Sequence, residues 1–180
     1  MTLSVARLIP ASALAVGLAM TGCSTTGSPP TATYAAAPLF TAEGRPAGVA
    51  TIVQRGEAAN LTVAALALPA GVHGVHLHAV GRCDAPAFTT AGGHLNPGGH
   101  QHGTENPAGS HLGDLPNLTI GASGTGSLNF RLSEAGAVLD GNLFDADGTA
   151  IVVHAGPDDY KTDPSGNSGG RIACGVFRRG

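Results

Sequence analysis

"SLNFRL", residues 127–132, alternates cleanly, with Leu128, Phe130 and Leu132 set against Ser127, Asn129 and Arg131. Period two marks a strand with one buried face, because successive side chains leave opposite sides of the backbone. The same reading covers "GVATIVQ" (48–54), with Val49, Thr51 and Val53 on one face and Ala50 and Ile52 on the other. "NLTVAALAL" (60–68) and "TAIVVH" (149–154) are further strand candidates, although Ala and Leu in the former also suit a short helix. Between them lie the turn-rich segments "RGEAAN", "GASGTG" and "DADGT". Roughly seven or eight short strands of this kind predict an all-β domain, a sandwich or a barrel.

Composition agrees. Among 180 residues there are 28 Gly and 12 Pro, no Trp, and only 12% charged side chains. That length suits one domain, and so much Gly and Pro argues against long helices. The formal charge is −3 and no basic block is present, so nucleic acid is not an expected partner.

The first segment reads as an address. One basic residue, Arg7, precedes an apolar run from Leu8 to Ala19, shorter than the roughly 20 residues that span a bilayer. It fits the apolar region of a secretory signal. Met20-Thr21-Gly22-Cys23 resembles the lipobox of bacterial lipoproteins, which implies lipidation at Cys23 after removal of residues 1–22. An ordinary signal cut nearby, leaving a free Cys, is the plainer alternative. Loss of Arg7 leaves 8 basic against 12 acidic residues, a balance of −4. Residues 24–38, "STTGSPPTATYAAAP", are small, polar and aperiodic. With Cys23 they read as a flexible tether, 23–38, ahead of a domain at 39–180. The expected location is the bacterial cell envelope, as a periplasm-facing or cell-surface lipoprotein held to a membrane at Cys23.

Three cysteines are present. If Cys23 carries lipid, an oxidising envelope would let Cys83 and Cys174 pair, with two unpaired thiols as the alternative.

Two stretches fit no strand: residues 81–116, and "GPDDYKTDPSGNSGGR" at 156–171. Loops this long inside one domain tend to be functional or disordered. All eight histidines lie between His73 and His154. His76 and His78 sit at i and i+2, so one strand face can aim both imidazoles at one ion while Leu77 enters the core. His154 closes "TAIVVH" and could add a third ligand from a neighbouring strand. In the first loop His94, His102, His111 and Asp114 are spaced 8, 9 and 3 apart. Three imidazoles and a carboxylate suit tetrahedral Zn(II), and His100 could replace His102 in a looser assignment. Any one loop histidine is easily a solvated side chain; all of them together with the strand pair are not.

"HGVHLHAVGRCD", "AGGHLNPGGHQHG", "HLGDLPN", "VVHAGPDDY" and "GNSGGRIACGV" together resemble the copper/zinc superoxide dismutases, especially the bacterial periplasmic ones, over about residues 40–179. That resemblance implies a Greek-key β-sandwich or barrel of about eight antiparallel strands with two long functional loops, a fold of which this family is a standard example. It implies copper on His76, His78, His94 and His154, and zinc on His94, His102, His111 and Asp114, the His94 ring bridging the two. It selects His102 over His100. Asp158 becomes the carboxylate linking His76 to His102, with Asp159 as its near rival, and His73 a structural residue on the opposite face of a regular strand. Cys83 and Cys174 form the family's disulfide, which a chain-entropy estimate values at about 4–5 kcal/mol. Arg171 lies beside the copper opening and draws in superoxide, with Lys161 a second candidate cation. The implied reaction converts superoxide to O2 and H2O2 as copper alternates between Cu(II) and Cu(I), His94 taking part by proton uptake. Related bacterial enzymes vary in assembly, so a homodimer is among the expected states. A non-enzymatic metal carrier is the competing class, and it would be favoured by a missing ligand or a missing Arg171. A zinc hydrolase lacks its His-Glu-x-x-His motif.

Overall fold

The β1 strand, Thr33–Thr41, corrects the sequence reading at once, because residues 33–38 read as part of the flexible tether. In the computed structural model, which describes Met1 and residues 33–180, Ala35, Ala37 and Leu39 point inward and are fully or almost fully buried. Alanine carries too little apolar surface to announce a strand from its spacing. Here its burial is decided by β2 (Pro46–Arg55), which pairs antiparallel with β1, Ala35 opposite Ile52 and Ala37 opposite Ala50. The stretch that reads as a signal, residues 2 to 22, Cys23, and the residues up to 32 that read as tether lie outside the described residues.

β2 behaves as its alternation predicts. Ala50 and Ile52 are fully buried, whereas Val49, Thr51 and Val53 are half-buried. β3 (Ala58–Ala65) buries Ala59, Leu61, Val63 and Ala65 with period two, so the helical alternative for this segment is excluded. Its partner β7 (Gly126–Arg131), the stretch first quoted, sets Leu128 opposite Val63 and Phe130 opposite Leu61. Ser127, Asn129 and Arg131 are exposed, as expected.

Between β3 and β7 the chain forms β4 (Gly71–His73), β5 (Val75–His78), the long loop, and β6 (Leu118–Ile120). β8 (Ala150–His154), β9 (Arg171–Val176) and β10 (Arg178–Arg179) complete the sheet. The main sheet runs β5-β8-β9-β1-β2-β3-β7, with β10 also on β1, and β4 pairs with β6 separately. Neighbours distant in sequence, such as β5 with β8 and β9 with β1, make this an all-β Greek-key arrangement: a curled antiparallel sheet closing toward a barrel around Leu39, Ile52, Leu61, Leu77, Leu118 and Ile151.

One short helix was not anticipated. α1 (Gly136–Leu143) places Leu139 and Leu143 one turn apart in the core, where both are fully buried. Its Asp140 accepts hydrogen bonds from the Tyr34 hydroxyl and from both terminal nitrogens of Arg179. Arg179 also stacks on Phe144, 4.2 Å from the ring centroid. This contact ties the start of β1, the helix and the C-terminus together.

A disulfide joins Cys83 to Cys174 across 91 residues, with Cα atoms 5.7 Å apart. It links the loop after β5 to β9 and packs in a small apolar cluster with Phe88, Ala91, Ala150 and Val152.

Candidate metal centre

β5 is the element that builds the site. One edge pairs with β8, Val75 opposite Val153 and His78 opposite Ala150. The other edge receives the long loop: Leu77 donates its N–H to Gly113 at 2.9 Å and accepts from Leu95 N–H at 2.8 Å. Leu77 enters the core, fully buried, and leaves His76 and His78 on the opposite face. The loop with little apolar content is thus held along an open strand edge, and His94 and Asp114 face His78 and His76 respectively.

Among the described residues, each of four buried imidazoles has one ring nitrogen engaged and the other without a partner. His78 Nδ1 lies 3.0 Å from the Gly92 carbonyl and His154 Nδ1 3.1 Å from that of Gly169. His76 Nε2 meets Asp158 Oδ2 at 2.7 Å, and His94 Nδ1 meets Asp114 Oδ1 at 3.0 Å. Carbonyl acceptors fix the tautomer of His78 and His154, so their Nε2 atoms present lone pairs. The orphaned atoms are His76 Nδ1, His78 Nε2, His94 Nε2 and His154 Nε2. Buried polar atoms are rarely left unpaired, because each costs free energy without a partner. Ligand atoms of these four residues lie within 4.8 Å of one another. An imidazole set of this kind suits copper.

A second set adjoins the first. His94, His102 and His111 converge through their Nδ1 atoms on Asp114 Oδ1, at 3.0, 3.0 and 3.1 Å. Three nitrogens and one carboxylate oxygen match a closed zinc site. His94 belongs to both groups, Nδ1 in one and Nε2 in the other. Asp158 spans them too, through Oδ2 to His76 and Oδ1 to His102 Nε2 at 3.0 Å. The rival Asp159 is exposed and turned away, accepting from Lys161 N–H, the Thr162 N–H and hydroxyl, and Asn167.

Burial sets the charge state of these rings. It lowers His76, and pulls His78 down to about 2, His154 to about 3 and His94 to about 4. All four are neutral at ordinary pH, the state a metal requires. Burial alone would raise Asp114 and Asp158. For Asp114 hydrogen bonds from His94 and the Gly103 N–H outweigh it, and for Asp158 those from His76 and His102 do, so both carboxyls lie below the usual range.

The site opens to solvent through a cavity of about 440 Å³ lined by His78, His94, His100, His111, His154 and Arg171, among others. The Arg171 guanidinium donates to the Phe88 carbonyl at 2.7 Å and to that of Gly92 at 2.6 Å. Lys161 does not line this cavity; it pairs with Glu105 at 2.9 Å on the surface. The second steering cation expected from the sequence is therefore not at the opening. His100 lies on the rim and outside both metal groups.

His73 belongs to a different sheet, which corrects the picture of one regular strand through residues 72–78. The chain breaks at Gly74, and β4 leaves to pair with β6. There His73 faces the carbonyls of His154, at 2.8 Å, and Pro69, at 3.0 Å, in a structural role.

Sequence reasoning passed over two supporting residues. Asn117 clasps the Asp158 backbone, donating from Nδ2 to its carbonyl at 2.9 Å and accepting its N–H at 2.8 Å. It ends the "HLGDLPN" motif, which was the available signal. Gly166, at φ +63°, passes so close that a Cβ there would sit 1.8 Å from Asp158 Oδ1.

A Greek-key β fold carrying two adjoining groups that could each hold a metal ion and that share one histidine defines a narrow class of metalloprotein. The comparisons agree with it. The family model described as "Copper/zinc superoxide dismutase (SODC)" matches residues 46–177. The chain is 40% identical over 149 residues to Cu-Zn superoxide dismutase 2 of Aquifex aeolicus, covering 79% of this chain and 85% of that one. It is 39% identical over 180 residues to the Cu-Zn superoxide dismutase of Deinococcus radiodurans, covering 92% and 93%. A crystal structure of a SOD-like protein from Bacillus subtilis superposes with a TM-score of 0.72 at 36% identity, covering 78% of this chain and 96% of that one. This chain belongs to the copper/zinc superoxide dismutase family, whose members are oxidoreductases acting on superoxide with copper and zinc.

Proposed function

We propose that this chain disproportionates superoxide at the His94-bridged centre, with copper held by His76, His78, His94 and His154 and zinc by His94, His102, His111 and Asp114. The observation that carries the reading is the set of four orphaned buried nitrogens, one of them on the same ring that serves the second group. Copper held by these residues would supply one-electron redox chemistry between two superoxide ions, whereas zinc has no redox role.

The chain's own residues do the rest. Arg171 uses two of its five N–H donors on the Phe88 and Gly92 carbonyls, which fixes its plane and leaves others for an anion. Because the chain's formal charge is −3, this local cation has to outweigh a long-range repulsion. Whenever His94 Nε2 is released from copper it would take up a proton from water and give it to the reduced oxygen, while Nδ1 would stay with the second ligand group. Asp158 fixes the orientation of His76 and His102 together, as outer carboxylates do.

The role we assign is antioxidant defence in the cell envelope, from a chain anchored by lipid at Cys23. The lipobox-like Met20-Thr21-Gly22-Cys23 and the tether after it support this reading.

Copper- and zinc-loaded protein should consume superoxide catalytically. Absence of turnover at full copper occupancy would overturn the enzymatic reading. For the anchor, Cys23→Ala should move the protein from the membrane fraction to the soluble one; unchanged partition would refute lipidation there.

A further inference from the structure

We propose that His100 is a capture ligand through which copper enters the site. The inference rests on assigning copper to His76, His78, His94 and His154.

Three of those four rings line the 440 Å³ cavity, and each has an unpartnered Nε2. The side chains of His78 and His154 are almost wholly buried, so this cavity is their route to solvent. His100 lines the same cavity and belongs to neither metal group. The zinc group is less open to it, because His102 and Asp114 are absent from the lining. His100 is exposed whereas His78 and His154 are buried, so His100 is the ring of this lining nearest to hand for an ion arriving from solvent.

The ring is held at that rim. Asn96 donates from Nδ2 to the His100 carbonyl at 2.8 Å and accepts the His100 N–H at 3.0 Å, closing residues 96–100 into a tight loop. The Cδ2–Nε2 edge of the ring rests on Gly98, where a Cβ would come within 2.5 and 2.7 Å of those two atoms. Among the described residues nothing hydrogen-bonds to the ring itself. The Asp163 carboxylate, whose Oδ1 accepts the His102 N–H at 2.7 Å, also lines the cavity and contributes negative charge there. Capture is a ligand exchange: Cu(II) releases one bound water for the His100 imidazole and then leaves it for His78 and His154, its oxidation state unchanged. Binding at the rim makes the second step intramolecular, at a high effective concentration.

The test follows copper uptake by zinc-loaded, copper-free protein mixed with equimolar Cu(II) supplied as its glycine chelate. The visible absorbance of bound Cu(II) is recorded in stopped flow. His100→Ala should slow the second-order phase roughly fivefold or more, while the end-point copper stoichiometry stays at one per chain. Gly98→Ala keeps the imidazole but displaces an exposed ring, and should slow uptake as well. Uptake at the unmodified rate in His100→Ala would overturn the proposal. So would a lowered end-point, which would make His100 a permanent ligand or a structural residue. Unmodified protein that takes up copper through His100 and leaves superoxide untouched would refute the enzymatic reading and not this one.

Discussion

Arg171 and His78 hold the same oxygen: both donate to the carbonyl of Gly92, at 2.6 and 3.0 Å. The cation at the cavity wall and a copper-set imidazole are therefore positioned by one backbone atom. That atom lies between Cys83 and His94, on a loop whose disulfide partner, Cys174, is three residues past Arg171. In the proposed function, substrate guidance and metal geometry would share this support.

Arg171→Ala should lower kcat/KM for superoxide about tenfold or more, the scale of a lost charge-assisted contact, without lowering copper or zinc content. The salt dependence of the rate should flatten, because the removed charge is the one salt screens. Arg171→Lys should lie between, keeping the charge but losing the two-carbonyl fixation. Metal analysis beside pulse-radiolysis rates decides this.

Asp158→Asn removes an acceptor from one of the two imidazoles it spans, since an amide nitrogen cannot accept from both sides as the carboxylate does. Affinity for at least one metal should fall about 10–100-fold. Competition with a chelator of known affinity, run for copper and zinc separately, reads which site weakens.

Gly166→Ala directs a methyl group into the Asp158 carboxylate and toward His102 Nε2. Overpacking of this kind costs about 1–3 kcal/mol, and the positive φ adds strain. Lower melting temperature with weaker zinc retention is the expected pair of results. A melting curve and zinc content equal to the unmodified protein would contradict the close approach.

Replacing both Cys83 and Cys174 by Ser should destabilise the protein by about 2–5 kcal/mol, measured by urea unfolding with metals bound. It should also loosen the Phe88–Gly92 platform, so kcat/KM should fall even at full metal occupancy.

The Tyr34 phenol is pushed up to about 12, first by burial and then by the Asp140 carboxylate beside it. A raised phenol value means the fold favours the neutral form. The stabilisation is complete below the ordinary value of 10.0 and is lost as pH rises from there toward about 12. Phenolate absorbance, with Tyr34→Phe as the blank, should show this titration, and Asp140→Asn should lower it only in part, because burial is the larger cause.

Much of the centre was legible because its signals are local. The i, i+2 spacing of His76 and His78 needs only a strand, and the alternation in residues 127–132 predicted one correctly. Less was legible where burial depends on partners. The alanines of residues 35–37 look like tether until β2 covers them, and the eight-residue helix holding Leu139 and Leu143 carries two glycines that mask its pattern. The break at Gly74, which sends His73 into another sheet, follows from pairing between β4 and β6, more than 40 residues apart in sequence.

By itself the sequence determined the donor inventory: which residues carry imidazole, carboxylate, thiol and guanidinium groups, and which of them resemble a known metal-binding order. Only the tertiary structure decided which nitrogen of each ring stays free, that Asp158 and not Asp159 spans the two groups, and that Arg171 lines the opening while Lys161 does not. The reason is physical. Residue type and strand period are properties of the chain, whereas a tautomer and a shared acceptor depend on backbone carbonyls and carboxylates brought together from distant segments by folding.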